Sequence, residues 1–318
     1  MPIPVLVLIE LLPEQRARLS GAGFDLRLAA AERERAVAED GPRFRAVLTN
    51  GSTGLTAAEM ERMPALEIVL AQGAGFERID VAAARARGLV VTHGPGTNDS
   101  SVADHAMALL LAAARGIVRA DAAVRRGAWP RLTRPAVFGK RLGILGLGRI
   151  GAAIAGRGAG GFGMAVGYCG RQRQEGVEHA FFPTPVALAA WCDFLVIATP
   201  GGAGTRHLVD AAVLDALGPE GFLINIARGT VVDTEALIAA LRAGRIAGAA
   251  LDVVEGEPVL PEGLAALENV TLTPHVAGRS PEAVAATIDL VIENLTAHFS
   301  GQPVLTPVLT PVFTPGPA

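Results

Sequence analysis

The sequence predicts an α/β protein built from two parallel-sheet domains. Short apolar runs rich in Val, Ile and Leu alternate with charged, helix-forming stretches along most of the chain. This alternation is typical of buried parallel strands that are connected by helices. It occurs in two series, which a long apolar stretch at 98–115 separates. The chain has 318 residues and a hydrophobic content of 50%, which is enough to fill two cores.

The first series predicts buried strands at 5–9, 46–50, 67–72 and 89–92, with helical stretches between them. The stretch 98–115 follows and opens with the sequence NDSS, whose residues favour a helix N-terminus. It continues as an apolar helix, which we expect to lie between the two domains. His105 is expected to pack within this helix and to pair with the neighbouring Asp104.

The second series predicts another sheet, with strands at 141–145, 164–169, 193–199, 221–227, 246–253 and 270–274. An amphipathic pattern from 281 onward predicts a long helix that returns to the first domain. We therefore place the first domain at 1–97 and 287–318, and the inserted domain at 98–286. Beyond the helix, the repeat VLTPVLTPVFTP at 304–315 has proline at every fourth position. Proline at this spacing forbids a helix and predicts an extended tail, which we expect to be peripheral or disordered.

Composition and charge exclude several classes of function. A net charge of −3 argues against a surface for nucleic acid or anionic membranes. Two cysteines are too few for a disulfide framework and are typical of a reducing compartment. The apolar start of the chain lacks a basic segment and is interrupted by Glu10, so we expect no membrane span. The histidines show no metal-ligand spacing. We therefore expect a cytoplasmic protein without a metal.

A glycine-rich loop follows the predicted strand 141–145. Gly146, Gly148 and Gly151 stand in the spacing GxGxxG, before a helix that begins near Arg149. The first glycine permits a tight turn, the second lets the backbone approach a pyrophosphate, and the third allows close helix–strand packing. The helix N-terminus adds unpaired N–H groups and a partial positive charge. The loop therefore predicts a dinucleotide site in a Rossmann-like domain.

The next predicted strand, 164–169, ends without the acidic residue that NAD-binding chains usually carry about twenty residues after such a loop. Gly170, Arg171 and Arg173 stand there instead. Two guanidinium groups can hold the 2′-phosphate of NADP, which a carboxylate would repel. We therefore expect NADP (NADPH) to be preferred. The alternative is that both arginines are ordinary loop residues and that NAD is accepted as well.

Polar residues with a common chemistry follow the later predicted strands. Arg228, Asp252, Glu257 and His275 each come shortly after one of them. Because ligands gather at the carboxyl ends of parallel strands, we expect these side chains to converge on one crevice. An Arg can hold a carboxylate and polarise a neighbouring ketone, while a His supplies a proton and a carboxylate beside it favours imidazolium. These residue types suit hydride transfer to a 2-oxo acid.

The chain resembles the D-isomer-specific 2-hydroxyacid dehydrogenases, in particular the glyoxylate/hydroxypyruvate reductase-like branch. The resemblance runs in consistent order from about residue 45 to residue 300 and rests on the segments GAGFERID, SVADHAMALLLA, GLGRIG, NIARGTVVDTEAL, LDVVEGEP and LTPHVAG. It implies two Rossmann-like or flavodoxin-like parallel-sheet domains, with the cofactor domain inserted in the substrate domain.

The resemblance also implies roles for individual residues. Arg228 corresponds to the substrate-binding Arg and His275 to the general acid/base. Glu257 corresponds to the carboxylate partner of that histidine. The N–H groups of Ala74 and Gly75 correspond to those that receive the substrate carboxylate, as a glycine-rich turn can do. Besides the glycine loop and the Arg-bearing turn, the matching cofactor positions are Val102, Arg149, Ile150, Thr199, Pro200, Ala227, Asp252, His275 and Gly278.

The resemblance finally implies a homodimer that forms through the region 100–140. Trp129 lies in this region and either anchors its own loop or reaches the partner's substrate pocket. The expected function is NADPH-dependent reduction of a 2-oxo acid to the D-2-hydroxy acid. The substrate stays open among hydroxypyruvate, glyoxylate, an aryl pyruvate and 2-ketogluconate. A dinucleotide-sensing, corepressor-like binding protein is the alternative.

Overall fold

The computed structural model describes residues 2–308. Strands and helices alternate along nearly the whole chain, as the sequence predicts. The helices and strands are, in chain order, β1 Ile3–Val7, α1 Pro13–Gly21, β2 Phe24–Leu28, α2 Arg33–Asp40, β3 Ala46–Thr49, α3 Ala57–Glu61, β4 Ile68–Ala71, α4 Val81–Ala86, β5 Val90–Thr92, α5 Asp99–Arg115, α6 Ile117–Arg125, β6 Arg141–Leu145, α7 Arg149–Phe162, β7 Ala165–Cys169, β8 Ala180–Phe182, α8 Pro185–Trp191, β9 Phe194–Ile197, α9 Ala211–Leu217, β10 Phe222–Asn225, α10 Thr234–Arg242, β11 Gly248–Leu251, β12 Val270–Leu272 and α11 Pro281–Phe299.

The first structural unit comprises residues 2–98 and 280–308. Its sheet is parallel, with the strand order β2-β1-β3-β4-β5. Strands β3 and β4 are buried along their whole length, because helices cover both faces of a parallel sheet. The long helix α11 belongs to this unit and packs Ile288, Val291 and Leu295 against strand residues such as Val5 and Leu48.

The second structural unit comprises residues 99–279. Its sheet is also parallel, with the order β12-β11-β10-β9-β6-β7-β8. The chain begins this sheet at β6 and later adds strands on the other side of it, so the strand order reverses between β6 and β9. In open α/β sheets, ligands bind at the carboxyl ends of the strands beside such a reversal. The predicted fold class, with one parallel-sheet domain inserted in the other, is confirmed.

The unit boundaries differ from the predicted ones by different amounts. The first lies at Asn98/Asp99, next to the predicted 97/98, and the second lies at Arg279/Ser280 instead of 286/287. The second boundary is earlier because a helix behaves as one rigid element. Ser280 caps α11 by accepting a hydrogen bond from the Ala283 N–H at 3.2 Å, so the helix begins at this boundary, and its buried residues pack in the core of the first unit.

Two strands of the structure, β2 and β8, were not among the strands predicted from sequence. Both lie at an edge of their sheet. In β2 the sequence FDLRL interrupts the apolar residues with charged ones, and β8 is three residues long. An edge strand has a neighbour on one side, so it is less buried and its sequence lacks the continuous apolar run of a central strand.

The prediction of a peripheral tail from residue 304 is wrong for its first residues. Pro307 pairs with Thr92 in an antiparallel bridge, and the Val308 N–H donates to the Val91 carbonyl at 2.8 Å. The side chain of Asn294, which α11 buries, accepts hydrogen bonds from the backbone N–H groups of 305 and 306 at 2.9 and 3.2 Å. The remaining repeat, residues 309–318, lies outside the described residues. Across 2–308, no helix is both long and apolar enough to cross a lipid bilayer.

Candidate active site

The glycine loop connects β6 to α7 at the carboxyl edge of the second sheet. Gly146 has a φ of 98°, which glycine adopts without strain, and its N–H donates to the Cys169 carbonyl at 2.9 Å. Gly148 is the N-cap of α7, and a Cβ built there would meet no atom within 4 Å. Gly151 lies against the Gly146 carbonyl, where a side chain would clash. The first N–H groups of a helix have no partner within the helix, and the open space at Gly148 leaves room for a phosphate beside the N-terminus of α7.

The end of β9 lies beside this loop. Thr199 packs its methyl group against the position of a Cβ on Gly146. Its hydroxyl is buried and has no hydrogen-bond partner within residues 2–308. A buried hydroxyl without a partner is costly, so this group suits a ligand that can complete its bonding. Together with the open N-terminus of α7, it fits a dinucleotide, and Pro200 follows directly. The Arg149 side chain is turned to Asp99, with Nε and Oδ2 2.7 Å apart.

The turn after β7 carries Arg171 and Arg173, both exposed. Its sequence from Gly170 is GRQRQ, without an acidic residue. Gln174 anchors the end of the turn: its backbone N–H donates to the Tyr168 hydroxyl at 2.8 Å. Its side-chain amide donates to the carbonyl of Leu147, also at 2.8 Å. Because Leu147 lies in the glycine loop, Gln174 ties the Arg-bearing turn to the predicted pyrophosphate site.

Arg228 follows β10 at the same sheet edge and is half-buried. Its Nη1 donates to the carbonyl of Ala227 at 2.7 Å, and its own carbonyl accepts from Asn225 Nδ2 at 3.0 Å. The next residue, Gly229, lies so close to the Val254 backbone that a Cβ would clash. The loop after β10 is therefore fixed against the loop after β11.

Glu257 and His275 form a direct pair. His275 Nδ1 and Glu257 Oε1 are 2.6 Å apart, so the Nδ1–H donates to the carboxylate and Nε2 is left for proton exchange. Burial acts to raise the pKa of Glu257, and the hydrogen bond and charge of His275 oppose it. The N–H of Val254 and the charge of Arg228 act in the same direction as His275. The pKa of Glu257 is lowered as a result, and the carboxylate stays ionised at neutral pH.

The loop 273–277 holds His275 in an uncommon backbone conformation. Its φ of 54° lies in the left-handed region, which costs a non-glycine residue about 1–3 kcal/mol. Asp252 compensates by accepting hydrogen bonds from the N–H groups of Val276 and Ala277, both at 2.9 Å. The Asp252 carbonyl also accepts the N–H of His275 at 2.8 Å. One buried aspartate thus determines the shape of the loop that carries the histidine.

His105 does not pair with Asp104, contrary to the expectation from sequence. Asp104 accepts a hydrogen bond from Arg157 at 2.7 Å on the outer face of α5. His105 points to the other side, with Nε2 2.9 Å from the Thr273 hydroxyl and 3.4 Å from Asp252. The expectation followed the order of residues along the chain, but the 3.6-residue period of a helix turns consecutive side chains to different sides. That period places Ser101 and His105 on one face of the helix.

In the first unit, Ala74 and Gly75 lie in the loop after β4. Gly73 has a φ of 92° and its carbonyl accepts the Gly94 N–H at 2.7 Å, while His93 Nδ1 donates to the Ala74 carbonyl at 3.0 Å. Within residues 2–308, no group accepts a hydrogen bond from the N–H of Ala74 or of Gly75. Consecutive unpaired amides of this kind form a nest for an anion.

The structure thus brings Glu257 and His275 into contact and places Arg228 where its charge acts on Glu257. Of the other predicted positions, Val102, Ala227 and Asp252 are buried. Ile150 and Gly278 are half-buried. The part of the chain from 2 to 308 contains no group of three or more His, Cys, Asp or Glu side chains arranged to bind a metal. Trp129 is 74% exposed, which excludes a role as a buried anchor of its loop.

Comparisons with known proteins agree with this arrangement. The family model described as D-isomer specific 2-hydroxyacid dehydrogenase, NAD binding domain, matches residues 107–277. The chain is 44% identical to hydroxyphenylpyruvate reductase of Plectranthus scutellarioides, over 83% of the chain and 85% of the relative. It is 46% identical to glyoxylate/hydroxypyruvate reductase A of Arabidopsis thaliana, over the same shares, 83% and 85%.

A solved structure is similar over almost the full length. It is the NADPH-dependent glyoxylate/hydroxypyruvate reductase of Sinorhizobium meliloti in complex with NADP and malonate. The TM-score is 0.87 and the sequences are 41% identical, with 97% of each chain covered.

Proposed function

Because the chain belongs to the D-isomer specific 2-hydroxyacid dehydrogenase family, we propose that it is an NADPH-dependent reductase that converts a 2-oxo acid into the D-2-hydroxy acid. The observation that supports this proposal most directly is the 2.6 Å contact between His275 Nδ1 and Glu257 Oε1. It leaves one ring nitrogen to exchange a proton, at the sheet edge where Arg228 also lies.

The reaction adds one hydride and one proton to a ketone. When bound, the reduced nicotinamide supplies the hydride for C2 of the substrate. Arg228 binds the substrate carboxylate and draws electron density toward the ketone oxygen. His275 donates its Nε2 proton to that oxygen as the new C–H bond forms, so that C=O becomes C–OH. Glu257 accepts the hydrogen bond from Nδ1 throughout and stabilises the imidazolium before the transfer.

The proposed cofactor is NADP, with NAD as the alternative. The phosphates are assigned to the N-terminus of α7, where Gly148 leaves the backbone accessible. The 2′-phosphate is assigned to Arg171 and Arg173, which are exposed in a turn without an acidic residue. The complex of the Sinorhizobium meliloti enzyme with NADP supports this choice by similarity.

The proposed substrate is a small 2-oxo acid. Its carboxylate is assigned to Arg228. The N–H groups of Ala74 and Gly75, which have no acceptor within residues 2–308, are by resemblance a further position suited to an anion. The names of the relatives favour glyoxylate, hydroxypyruvate or hydroxyphenylpyruvate. These compounds share the carboxylate and the neighbouring ketone, and they differ in the group attached to C2.

We also propose a homodimer that forms through the region 100–140. Trp129 and Phe138 are 74% and 76% exposed, and α6 exposes Ile117, Val118 and Val124 on its surface. Several large apolar side chains exposed along one segment of the chain favour a protein interface in that segment. Sedimentation analysis of the wild type and of Phe138→Glu tests this, since the substitution should shift the wild-type dimer toward monomer. A monomeric wild type would contradict the proposal.

The proposed function is tested with a panel of 2-oxo acids. The full chain is mixed with NADPH and with glyoxylate, hydroxypyruvate, hydroxyphenylpyruvate or 2-ketogluconate, and the loss of reduced-nicotinamide absorbance is followed. We expect turnover with at least one of them and a product of D configuration in chiral chromatography. Tight NADPH binding without turnover on any of them would favour the corepressor-like alternative, and an L product would contradict the proposed D configuration.

A further inference from the structure

His275 depends on its loop for its position, and the loop depends on Asp252. The Asp252 side chain is 1% exposed, so its carboxylate must be satisfied by protein groups. Two of these groups are the N–H donors of the loop, Val276 and Ala277. A third is the hydroxyl of Thr273, which donates to Asp252 Oδ1 at 2.6 Å. The carboxylate therefore joins the residue before the His275 turn to those after it.

His105 completes this network from helix α5. Because the Thr273 hydroxyl already gives its proton to Asp252, its oxygen accepts the Nε2–H of His105, 2.9 Å away. The same nitrogen lies 3.4 Å from Asp252 Oδ1. The acidic neighbour of His105 on the chain, Asp104, is held by Arg157. Within the described chain, the carboxylate that His105 approaches is therefore that of Asp252.

Ser101 holds the other end of the same loop. Its hydroxyl donates to the Ala277 carbonyl at 2.7 Å. Ser101 and His105 are four residues apart in α5 and therefore lie one above the other on one helix face. The opposite side of α5 is fixed in the core of the unit by residues that include Ala103, Ala106 and Leu110. The loop is thus held on both sides of His275 by a rigid helix.

We propose that Ser101 and His105 are positioning residues for the acid/base step, which hold the loop 273–277 between α5 and Asp252 and thereby orient His275. This inference rests on the proposed function. Neither side chain touches His275 in the contacts described above; both act through the loop. The role differs from the packing role that an apolar helix predicts, because it requires a hydrogen-bond donor at position 105 and one at position 101.

The test compares variants that keep or remove the donor. His105→Leu preserves the approximate size without a donor, His105→Gln keeps an N–H, and Ser101→Ala removes the hydroxyl. Ser100→Ala is the matched control, because Ser100 lies on α5 but contacts Arg157. For each full-length variant we would measure kcat, KM and the pH profile with a 2-oxo acid, the Kd for NADPH, and hydrogen exchange of the segment 273–279.

We expect His105→Leu and Ser101→Ala to lower kcat by about 10- to 100-fold, since small displacements of a reacting group are costly. The Kd for NADPH should change by less than about threefold, which is a difference of less than about 0.7 kcal/mol. His105→Gln should recover most of the kcat, and the amides of 276 and 277 should exchange faster in His105→Leu. Ser100→Ala should match the wild type in every measurement.

A wild-type kcat in both His105→Leu and Ser101→Ala would overturn the inference. So would an equal loss of kcat in His105→Leu and His105→Gln with unchanged exchange of the loop. Failure of the proposed function is recognised separately, as absent turnover in the wild type. In that case the exchange measurement still decides whether the two side chains hold the loop. If His105→Leu does not fold, Ser101→Ala carries the test.

Discussion

Two loops at the carboxyl edge of the second sheet are built in opposite ways. The loop 273–277 is fixed by the buried carboxylate of Asp252, which accepts bonds from Thr273, Val276 and Ala277. The turn 170–174 is fixed at one end, through Gln174, and leaves Arg171 and Arg173 exposed. The first loop has its functional side chain already paired, since His275 contacts Glu257 at 2.6 Å.

The difference corresponds to what each loop is proposed to do. Proton transfer to a ketone needs a donor in a defined place, so preorganisation is worth a large factor in rate. Choice between NADP and NAD needs a favourable charge near a phosphate, and long flexible guanidinium groups provide it without a rigid frame. Substitutions in the first loop should therefore affect turnover strongly, while those in the second should affect cofactor preference.

The largest effect is expected from His275→Asn. Removal of the acid/base should lower kcat by about 10²- to 10⁴-fold, the usual contribution of such a group. The Kd for NADPH should stay close to that of the wild type, because the glycine loop is untouched. Steady-state rates and a fluorescence titration of NADPH measure the two quantities. A kcat within tenfold of the wild type would contradict the role of His275 as the acid/base and the strong effect on turnover expected of this loop.

The second effect concerns Glu257→Gln and its dependence on pH. The pKa of Glu257 is lowered chiefly by the hydrogen bond and charge of His275, against the effect of burial. The contribution of this pair to stability is therefore present above the glutamate's unfolded pKa and is lost as the pH falls through the lowered value. Gln keeps an acceptor but no charge, so imidazolium is favoured less.

In Glu257→Gln, kcat for reduction should therefore be lower than in the wild type at neutral pH, and the difference should shrink as the pH falls through the lowered pKa of Glu257, where the wild-type carboxylate also loses its charge. The measurement is kcat for 2-oxo acid reduction across the pH range, with the wild type in parallel. Identical pH profiles would show that the charge of Glu257 does not contribute to the rate.

The third effect is expected from Arg171→Asp. The substitution removes a charge-assisted bond and adds repulsion, so kcat/KM for NADPH should fall by about 10- to 100-fold. The value for NADH should change by less than about threefold. Arg149→Asp is not a suitable control, because Arg149 pairs with Asp99 beside the glycine loop. Arg35→Asp, on the exposed surface of α2 in the first unit, is suitable. Equal losses with both cofactors would contradict the assignment of the turn.

The smallest effect is expected from Gln174→Ala. It removes the bond from the Gln174 side chain to the Leu147 carbonyl but keeps the backbone bond to Tyr168. Loss of one such bond is worth about 1 kcal/mol, or roughly fivefold in kcat/KM for NADPH. The kcat at saturating NADPH should be unchanged. A large fall in kcat would show that the turn is coupled to the chemistry.

The sequence predicts the fold of both units to the level of most strands, because central parallel strands are continuous apolar runs. Strands β2 and β8 were not predicted because charged or short edge segments lack that signal. The boundary at Arg279/Ser280 was not predicted, because hydrophobic periodicity locates a helix but does not show which of the two cores the helix packs against. The packing of the segment 304–308 was not predicted, because its contacts with β5 and Asn294 join residues that are distant along the chain or lie in another element.

The residues of the candidate site also differ in whether the sequence predicts them. Arg228, Glu257 and His275 could be named from sequence because each follows a predicted strand in a recognisable order. The partners of His105 could not, because Thr273 is 168 residues away along the chain. The buried position of Asp252 depends equally on packing. Chemistry-bearing residues leave a local signal, while the residues that hold them in place are identified only by the folded structure.

The measurement that tests the central claim most directly is the ratio of kcat/KM for NADPH to that for NADH in the unaltered chain, with the 2-oxo acid it reduces fastest. The account predicts turnover with both cofactors and a ratio above one, by about tenfold or more if both arginines bind the 2′-phosphate. A ratio at or below one would contradict the assignment of Arg171 and Arg173. An absence of turnover with either cofactor would contradict the proposed reaction itself.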